Sequence, residues 1–217
     1  MVEKIRKRTP RNPSATRAVI LEAARTILAE EGIEGLSVSA VAYAAGVNRG
    51  TAYLYFENRE KLVAQTIASV SEILLNSVYG DGAELAGTNV TEIDQVTLTE
   101  TLSSFAMANP DLCRVWLLQV LASPNPYDDP FWRKYMTYLQ RFAETDLAEP
   151  DVDAEVLSVI VLAGTFLWPI WAHAGTLDTA GRKQAASRFS RELMRLSLHG
   201  SMVADKFPAI PKRLVAI

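Results

Sequence analysis

Apolar residues recur at three- and four-residue spacing along most of the chain, the period of helices that bury one face. Ile20, Leu21, Ala24, Ile27 and Leu28 predict a first helix over residues 14–31 that Gly32 ends. Val38, Val41, Ala42 and Ala45 predict a second, short helix, with Ser37 or Ser39 placed to cap its start. Glycine enters the left-handed region without a Cβ penalty, so Ala45-Gly46-Val47 reads as a tight turn. Asn48 then caps a third helix, seated on its neighbours by Val47, Ala52 and Phe56. Two short helices joined by such a turn form a helix-turn-helix, whose second helix lies in the DNA major groove.

A fourth helix is predicted to start after Asn58, with Glu60 favourable in its first turn, and to run through Leu62, Thr66, Ile67, Val70, Ile73 and Leu74. Further helices are expected over 91–108, 110–122, 127–147, 151–173 and 177–199. Asn109-Pro110, Ser123-Pro124-Asn125-Pro126, Glu149-Pro150 and Gly175 separate them, since proline disfavours helix in the residue before it. The expected fold is all-α, with about nine helices. Residues 201–217, with Pro208 and Pro211, read as an irregular tail. Gly80-Asp81-Gly82 and Gly87-Thr88-Asn89 mark a loop, without the preceding strand a dinucleotide fingerprint requires.

The third helix carries the candidate chemistry. Arg49, Thr51, Tyr53 and Tyr55 offer a guanidinium, a hydroxyl and two phenols. Arg49 suits a bidentate contact to a base edge, with Asn48 and Thr51 reading or bracing nearby edges. Ser37, Tyr53, Tyr55 and Arg59 are expected to hold phosphates. Gly50 costs this helix about 1 kcal/mol relative to alanine, so a close approach, with DNA as the neighbour, is expected there. Tyr43 reads as a packed residue.

These residues carry a resemblance. Residues from about Thr16 to Ile73 are similar to the DNA-binding domain of the tetracycline-repressor (TetR) family of bacterial transcriptional regulators. The matching pieces are Gly32, Ser37-Val38, Val41-Ala42, the run from Ala45 to Phe56, and Arg59 with Leu62 or Val63. Asn48 stands for the more common serine, Ala52 for leucine or isoleucine, and Arg59 for lysine. The rest of the chain matches only in length and helical character.

The resemblance implies a basic arm at 1–13, a helix-turn-helix domain at 14–60, a ligand-binding and dimerisation domain at 61–200 and a tail at 201–217. It further implies a homodimer through the eighth and ninth helices, with Val156, Val159, Ile160, Ala163, Leu167 and Ile170 as the apolar seam. Read from the sequence alone, that face fits a dimer seam and an internal core equally. The implied partners are an operator in double-stranded DNA and a small-molecule effector that lowers affinity for it. Aromatic residues collect in the carboxyl-terminal body, and the expected effector contacts are Phe105, Trp116, Trp132, Met136 and Phe166. Each of them read alone is ordinary core; the set suggests a pocket for a lipophilic or aromatic effector.

Charge changes the picture at one end. Residues 1–61 carry net +3 and residues 62–217 net −6, within a total of −3. A basic end and an acidic body fit a protein that meets phosphate at one end only. Lys4, Arg6, Lys7, Arg8, Arg11 and Arg17 could follow phosphates or enter a minor groove; a solvated tail is the alternative. No secretory signal is read, and the single Cys113 suits a reducing cytoplasm. Val156–Ala172 carries no charge, but polar residues and an acidic flank favour a soluble helix buried from more than one direction over a membrane span.

No cofactor or metal is expected. Two histidines, one cysteine and the absence of HExxH, GxSxG and P-loop motifs argue against an enzyme. Asp128-Asp129 and Asp151 with Asp153 read as helix-start charges rather than catalytic pairs. The other alternative is an architectural DNA-binding protein without an effector, which would not need a large aromatic body.

Overall fold

The stripe Ile20, Leu21, Ala24, Ile27 and Leu28 lies buried along one face of α1 (Pro13–Gly35), where its spacing puts it. The structure, a computed structural model, describes residues 13–80 and 90–215. The cations expected in the basic arm before Pro13, and Gly82 and Gly87 of the expected loop, lie outside the described residues. The chain divides into two units, residues 1–66 and 67–217, so the division falls inside the fourth helix.

In the first unit α1 breaks at Gly32, which adopts φ 71° and ψ −167°, backbone that glycine reaches without strain. Leu36, α2 (Val38–Ala44), α3 (Arg49–Tyr55) and the start of α4 (Arg59–Tyr79) then close over the α1 stripe. Leu36, Val38, Val41, Ala52, Phe56 and Leu62 complete this core, each almost wholly removed from water. Burial of a side chain of leucine or phenylalanine size stabilises by about 1.5–3 kcal/mol.

The second unit holds the rest of α4 with α5 (Gln95–Ala108), α6 (Pro110–Ala122), α7 (Pro130–Ala143), α8 (Ala154–Trp171), α9 (Thr179–Gly200) and α10 (Ile210–Val215). Helix α5 packs on α9 and α8, while α6 and α7 pack on α8. Several expected starts shift to a side-chain cap. Asp94 accepts from the backbone N–H groups of Val96 and Thr97, so α5 begins at Gln95 after a short turn at Val90–Glu92. Asp129 caps α7 through the N–H of Trp132, 3.0 Å away, and Asp153 caps α8. Apolar periodicity does not register where the backbone donors of a helix are satisfied; the caps do.

Of the irregular tail expected over 201–217, the described residues 201–215 are instead folded against the rest of the second unit. Met202 bridges to Ala148, and the Val203 N–H donates to the Leu147 carbonyl at 2.8 Å. Helix α10 buries Ile210 and Leu214, and Arg213 pairs with Asp94 at 2.8 Å and Glu100 at 3.9 Å. Pro211 does not prevent this helix, because it stands in the first turn, where no N–H is needed.

Helix α8 buries Ser158, Val161, Leu162, Thr165 and Phe166. Its other face, with Val156, Val159, Ile160, Leu167, Ile170 and Trp171, is exposed in the single chain. The expectation of burial from more than one direction therefore fails within one chain. By length and composition alone, α4 and α8 are apolar enough to cross a membrane.

Candidate nucleic-acid interface and ligand cavity

Helix α2 ends in two hydrogen bonds that close its last turn. The Gly46 N–H donates to the Tyr43 carbonyl at 3.1 Å and the Val47 N–H to the Ala42 carbonyl at 3.0 Å. This is the Schellman pattern, and it requires the left-handed φ of 63° that Gly46 supplies. A Cβ on Gly46 would touch nothing within 4 Å, so the demand for glycine is conformational, not steric. At the other side of the turn the Asn48 side-chain oxygen accepts from the Gly50 N–H at 2.8 Å and caps α3. The Ser37 hydroxyl accepts from the Ala40 N–H at 3.1 Å and caps α2.

The solvent face of these two helices carries Asn48, Arg49, Gly50, Tyr53, Tyr43 and Leu54. Tyr43 and Leu54 are 90% and 84% exposed, far beyond what packing would leave. The Arg49 guanidinium lies over the Tyr53 ring, 5.5 Å from its centre, and reaches its hydroxyl at 3.5 Å. That hydrogen bond and charge, with the Ser39 hydroxyl adding to them, pull the Tyr53 phenol below its ordinary value. The pair presents a cation braced by an aromatic ring, suited to a phosphate or a base edge.

In the second unit the Trp116 ring is wholly buried and meets Phe166 and Phe131 edge-on at 5.1 and 5.5 Å, with Trp132 at 6.5 Å. Its Nε1 donates to Ser71 Oγ at 2.9 Å and to Asp129 Oδ2 at 3.0 Å, and Ser71 itself donates to Asp129. One buried network thus joins α4, α6 and the cap of α7. A separate cavity of about 40 Å³ lies between α5, α7, α8 and α9, with Gln95, Thr99, Tyr135, Tyr138 and Met194 in its lining. Roomier hollows of about 790 and 670 Å³ open on the surface of α8 and α9, and Trp171 lines both. They border the exposed apolar face of α8 and are grooves, not enclosed sites.

Residues 20–66 match the model of a family described as "Bacterial regulatory proteins, tetR family". A curated relative, the HTH-type transcriptional repressor KstR2 of Mycolicibacterium smegmatis, is 25% identical over 89 residues. That match spans 41% of this chain and only 42% of the relative's length. Over residues 20–66 the chain is thus similar to the TetR family. The fold also resembles CprB of Streptomyces coelicolor A3(2), described as a TetR family protein, with TM-score 0.60 and 22% identity over 92% of this chain and 97% of CprB. A TetR family transcription regulator from Marinobacter aquaeolei VT8 gives TM-score 0.62 at 19% identity, over 82% and 94% of the two chains. These relatives are regulators and not enzymes.

Of the TetR-type contacts expected from sequence, Asn48, Arg49, Gly50 and Tyr53 come together on the exposed side of α3, while Thr51 and Tyr55 are half-buried. Ser37 stands apart at the start of α2. Gly50 has a reason inside the fold as well, since a Cβ there would stand 3.2 Å from the capping oxygen of Asn48. Arg59 departs from expectation. Its Nε and NH2 donate to the carbonyls of Leu36 at 2.9 Å and Ile33 at 2.7 Å, so it clamps the turn after Gly32 rather than reaching for phosphate. Tyr43, expected to be packed, is exposed because it falls opposite the buried Val38, Val41 and Ala42 on α2. That same spacing could have flagged it.

Five residues are expected from the sequence to contact an effector. Trp116, Trp132, Met136 and Phe166 are buried core and Phe105 is half-buried, and none of them lines the 40 Å³ cavity. Gln95, Tyr135 and Tyr138 stand in that lining instead. On α7 the two tyrosines share a buried face with Phe131, Leu139 and Phe142, a spacing visible in the sequence but not separable from core packing.

Proposed function

We propose that the chain is a ligand-responsive transcriptional repressor that binds a palindromic operator as a homodimer in the cytoplasm. The observation that carries the reading is the capped, Schellman-joined helix pair whose second member exposes Asn48, Arg49 and Tyr53. Arg49 takes the base-reading role, with Asn48 and Thr51 beside it, and Ser37, Tyr53 and Tyr55 hold phosphates. Tyr43 joins them by its exposure. The match of residues 20–66 to a family of regulatory proteins supports this use.

Dimerisation runs through α8, whose exposed apolar residues leave a patch that a second copy covers, and Leu196 of α9 is exposed as well. Two copies related by a two-fold axis carry two α3 helices, and these fit one face of DNA when spaced about 34–36 Å or a multiple apart. An effector that prefers a body with the wrong spacing removes the dimer from DNA. A hundredfold preference between the two states corresponds to about 2.7 kcal/mol. Helix α4 carries the change, since it is continuous through both units.

Selection from a random duplex pool at about 0.15 M salt tests the reading. An inverted repeat should be enriched, with half-sites about one helical turn apart, and sedimentation should give a dimer. Enrichment of no sequence would leave only general affinity for phosphate and overturn it.

A further inference from the structure

Helix α3 buries Ala52 and turns Arg49, Gly50, Tyr53 and Leu54 to solvent. Successive residues stand about 100° apart around a helix, so Gly50 and Leu54, two positions either side of Ala52, each point about 160° away from it. They lie one turn apart on a single line, the one that faces outward most directly. Arg49 and Tyr53 flank that line at about 60° and 100° from Ala52, while the half-buried Thr51 and Tyr55 close the other flank.

The outermost line of α3 is therefore not its polar one. Gly50 leaves it bare at one end, and Leu54 fills the other with an isobutyl group that is almost wholly exposed. A leucine exposed singly elsewhere on a surface needs no explanation. On this line it does, because whatever meets Arg49 and Tyr53 also meets Leu54, and Leu54 offers neither a donor nor an acceptor. In the major groove the purine edges and the cytosine amino group are polar; against a leucine they lose water and gain no hydrogen bond. Thymine is the base that presents an apolar group there, its 5-methyl.

We propose that Leu54 reads thymine through that methyl group at one base pair of each half-site, with Gly50 leaving the room in which α3 brings it there. The inference rests on the reading of α3 as the helix that enters the major groove. Two chemistries are then read from adjacent lines of one helix: the Arg49 guanidinium takes a polar base edge, and Leu54 takes a neighbouring methyl. Leu54 also sets what is rejected, since cytosine, adenine or guanine at its position leaves a polar edge unmet.

The experiment uses the full chain and the operator selected from the random pool. Each thymine is replaced in turn by deoxyuridine, which deletes the 5-methyl and keeps every hydrogen-bonding atom. One symmetry-related pair should respond, with affinity falling about fourfold for one half-site and about fifteenfold for both, the loss of one buried methyl at each. Leu54→Ala should be indifferent to uridine at that pair, and it should melt as the unsubstituted chain does because Leu54 is exposed. Leu54→Gln, selected afresh from the random pool, should no longer enrich thymine there. An operator indifferent to uridine at every position, or a Leu54→Ala chain that keeps the full uridine penalty, would overturn the proposal while the regulator reading stands. Loss of the penalty in Tyr43→Ala and not in Leu54→Ala would move the methyl contact to α2 and overturn it as well. If the unsubstituted chain selects no operator at all, the regulator reading fails and the role of Leu54 fails with it.

Discussion

Arg49 leaves its guanidinium on the solvent side of α3 against the ring of Tyr53, whereas Arg59 turns its own onto the carbonyls of Ile33 and Leu36. Equal charge therefore leads to different expectations. Arg49→Ala should cut affinity for the selected operator by about 1–3 kcal/mol per half-site and relax preference at the base it reads, as measured by competition against single-base variants. Arg59→Ala should instead lower the unfolding free energy by about 1–2 kcal/mol, because two carbonyls lose a charged donor at a partly exposed site. Its slope of log affinity against log salt should stay that of the unsubstituted chain; a flattened slope would return Arg59 to the phosphate contacts. At this scale the caps were legible, since Ser37 and Asn48 are of the types that satisfy orphan backbone donors. The direction of a long cation was not, because nothing in sequence distance says that Arg59 lies beside a turn made by Gly32.

Element boundaries followed a similar division. The α1 stripe and the turn at Gly46 were readable because each rests on a local rule: period 3.6 in one case, a positive φ in the other. Residues 201–215 were not, because what orders them is remote in sequence: Ala148 for Met202, Asp146 for Lys206, Asp94 and Glu100 for Arg213. The Asp94 pair gives this segment a pH signature. Partial burial works against ionisation of Asp94, yet hydrogen bonds from Arg213 and Thr97, with the Arg213 charge, bring its pKa down to about 2 from 3.8. A depressed value stabilises the fold above the unfolded pKa, and the contribution fades as pH falls from about 4 to about 2. Both side chains are about half exposed, so screening leaves on the order of 0.5–1 kcal/mol. Arg213→Gln should be less stable by that amount above about pH 4.5 and indistinguishable near pH 2 in urea melts taken across the range. A constant offset at every pH would assign Arg213 to packing instead.

For the molecule as a whole, the sequence could not separate a dimer seam from an inner core on α8, since both call for apolar residues at helical spacing. The fold separates the two faces: Val161, Leu162 and Phe166 turn inward while Val156, Ile160, Leu167 and Ile170 stay in contact with water. A chain that ended as a monomer would carry this patch as a standing liability to aggregation. In the proposed dimer, pairing through it also turns two weak half-site contacts into one linked event, because the second α3 meets its groove at an effective concentration of about millimolar. Ile160→Glu tests both consequences together. Ile160 is 60% exposed in the single chain, so the substitution should leave the helical signal and the fold of each unit intact. A carboxylate facing its own copy across a two-fold axis lacks a partner charge, and sedimentation should show monomers at micromolar concentration. Affinity for the selected inverted repeat should then fall by about a hundredfold, toward that of an isolated half-site. A variant that still sediments as a dimer and still binds the full repeat would move the subunit contact away from α8.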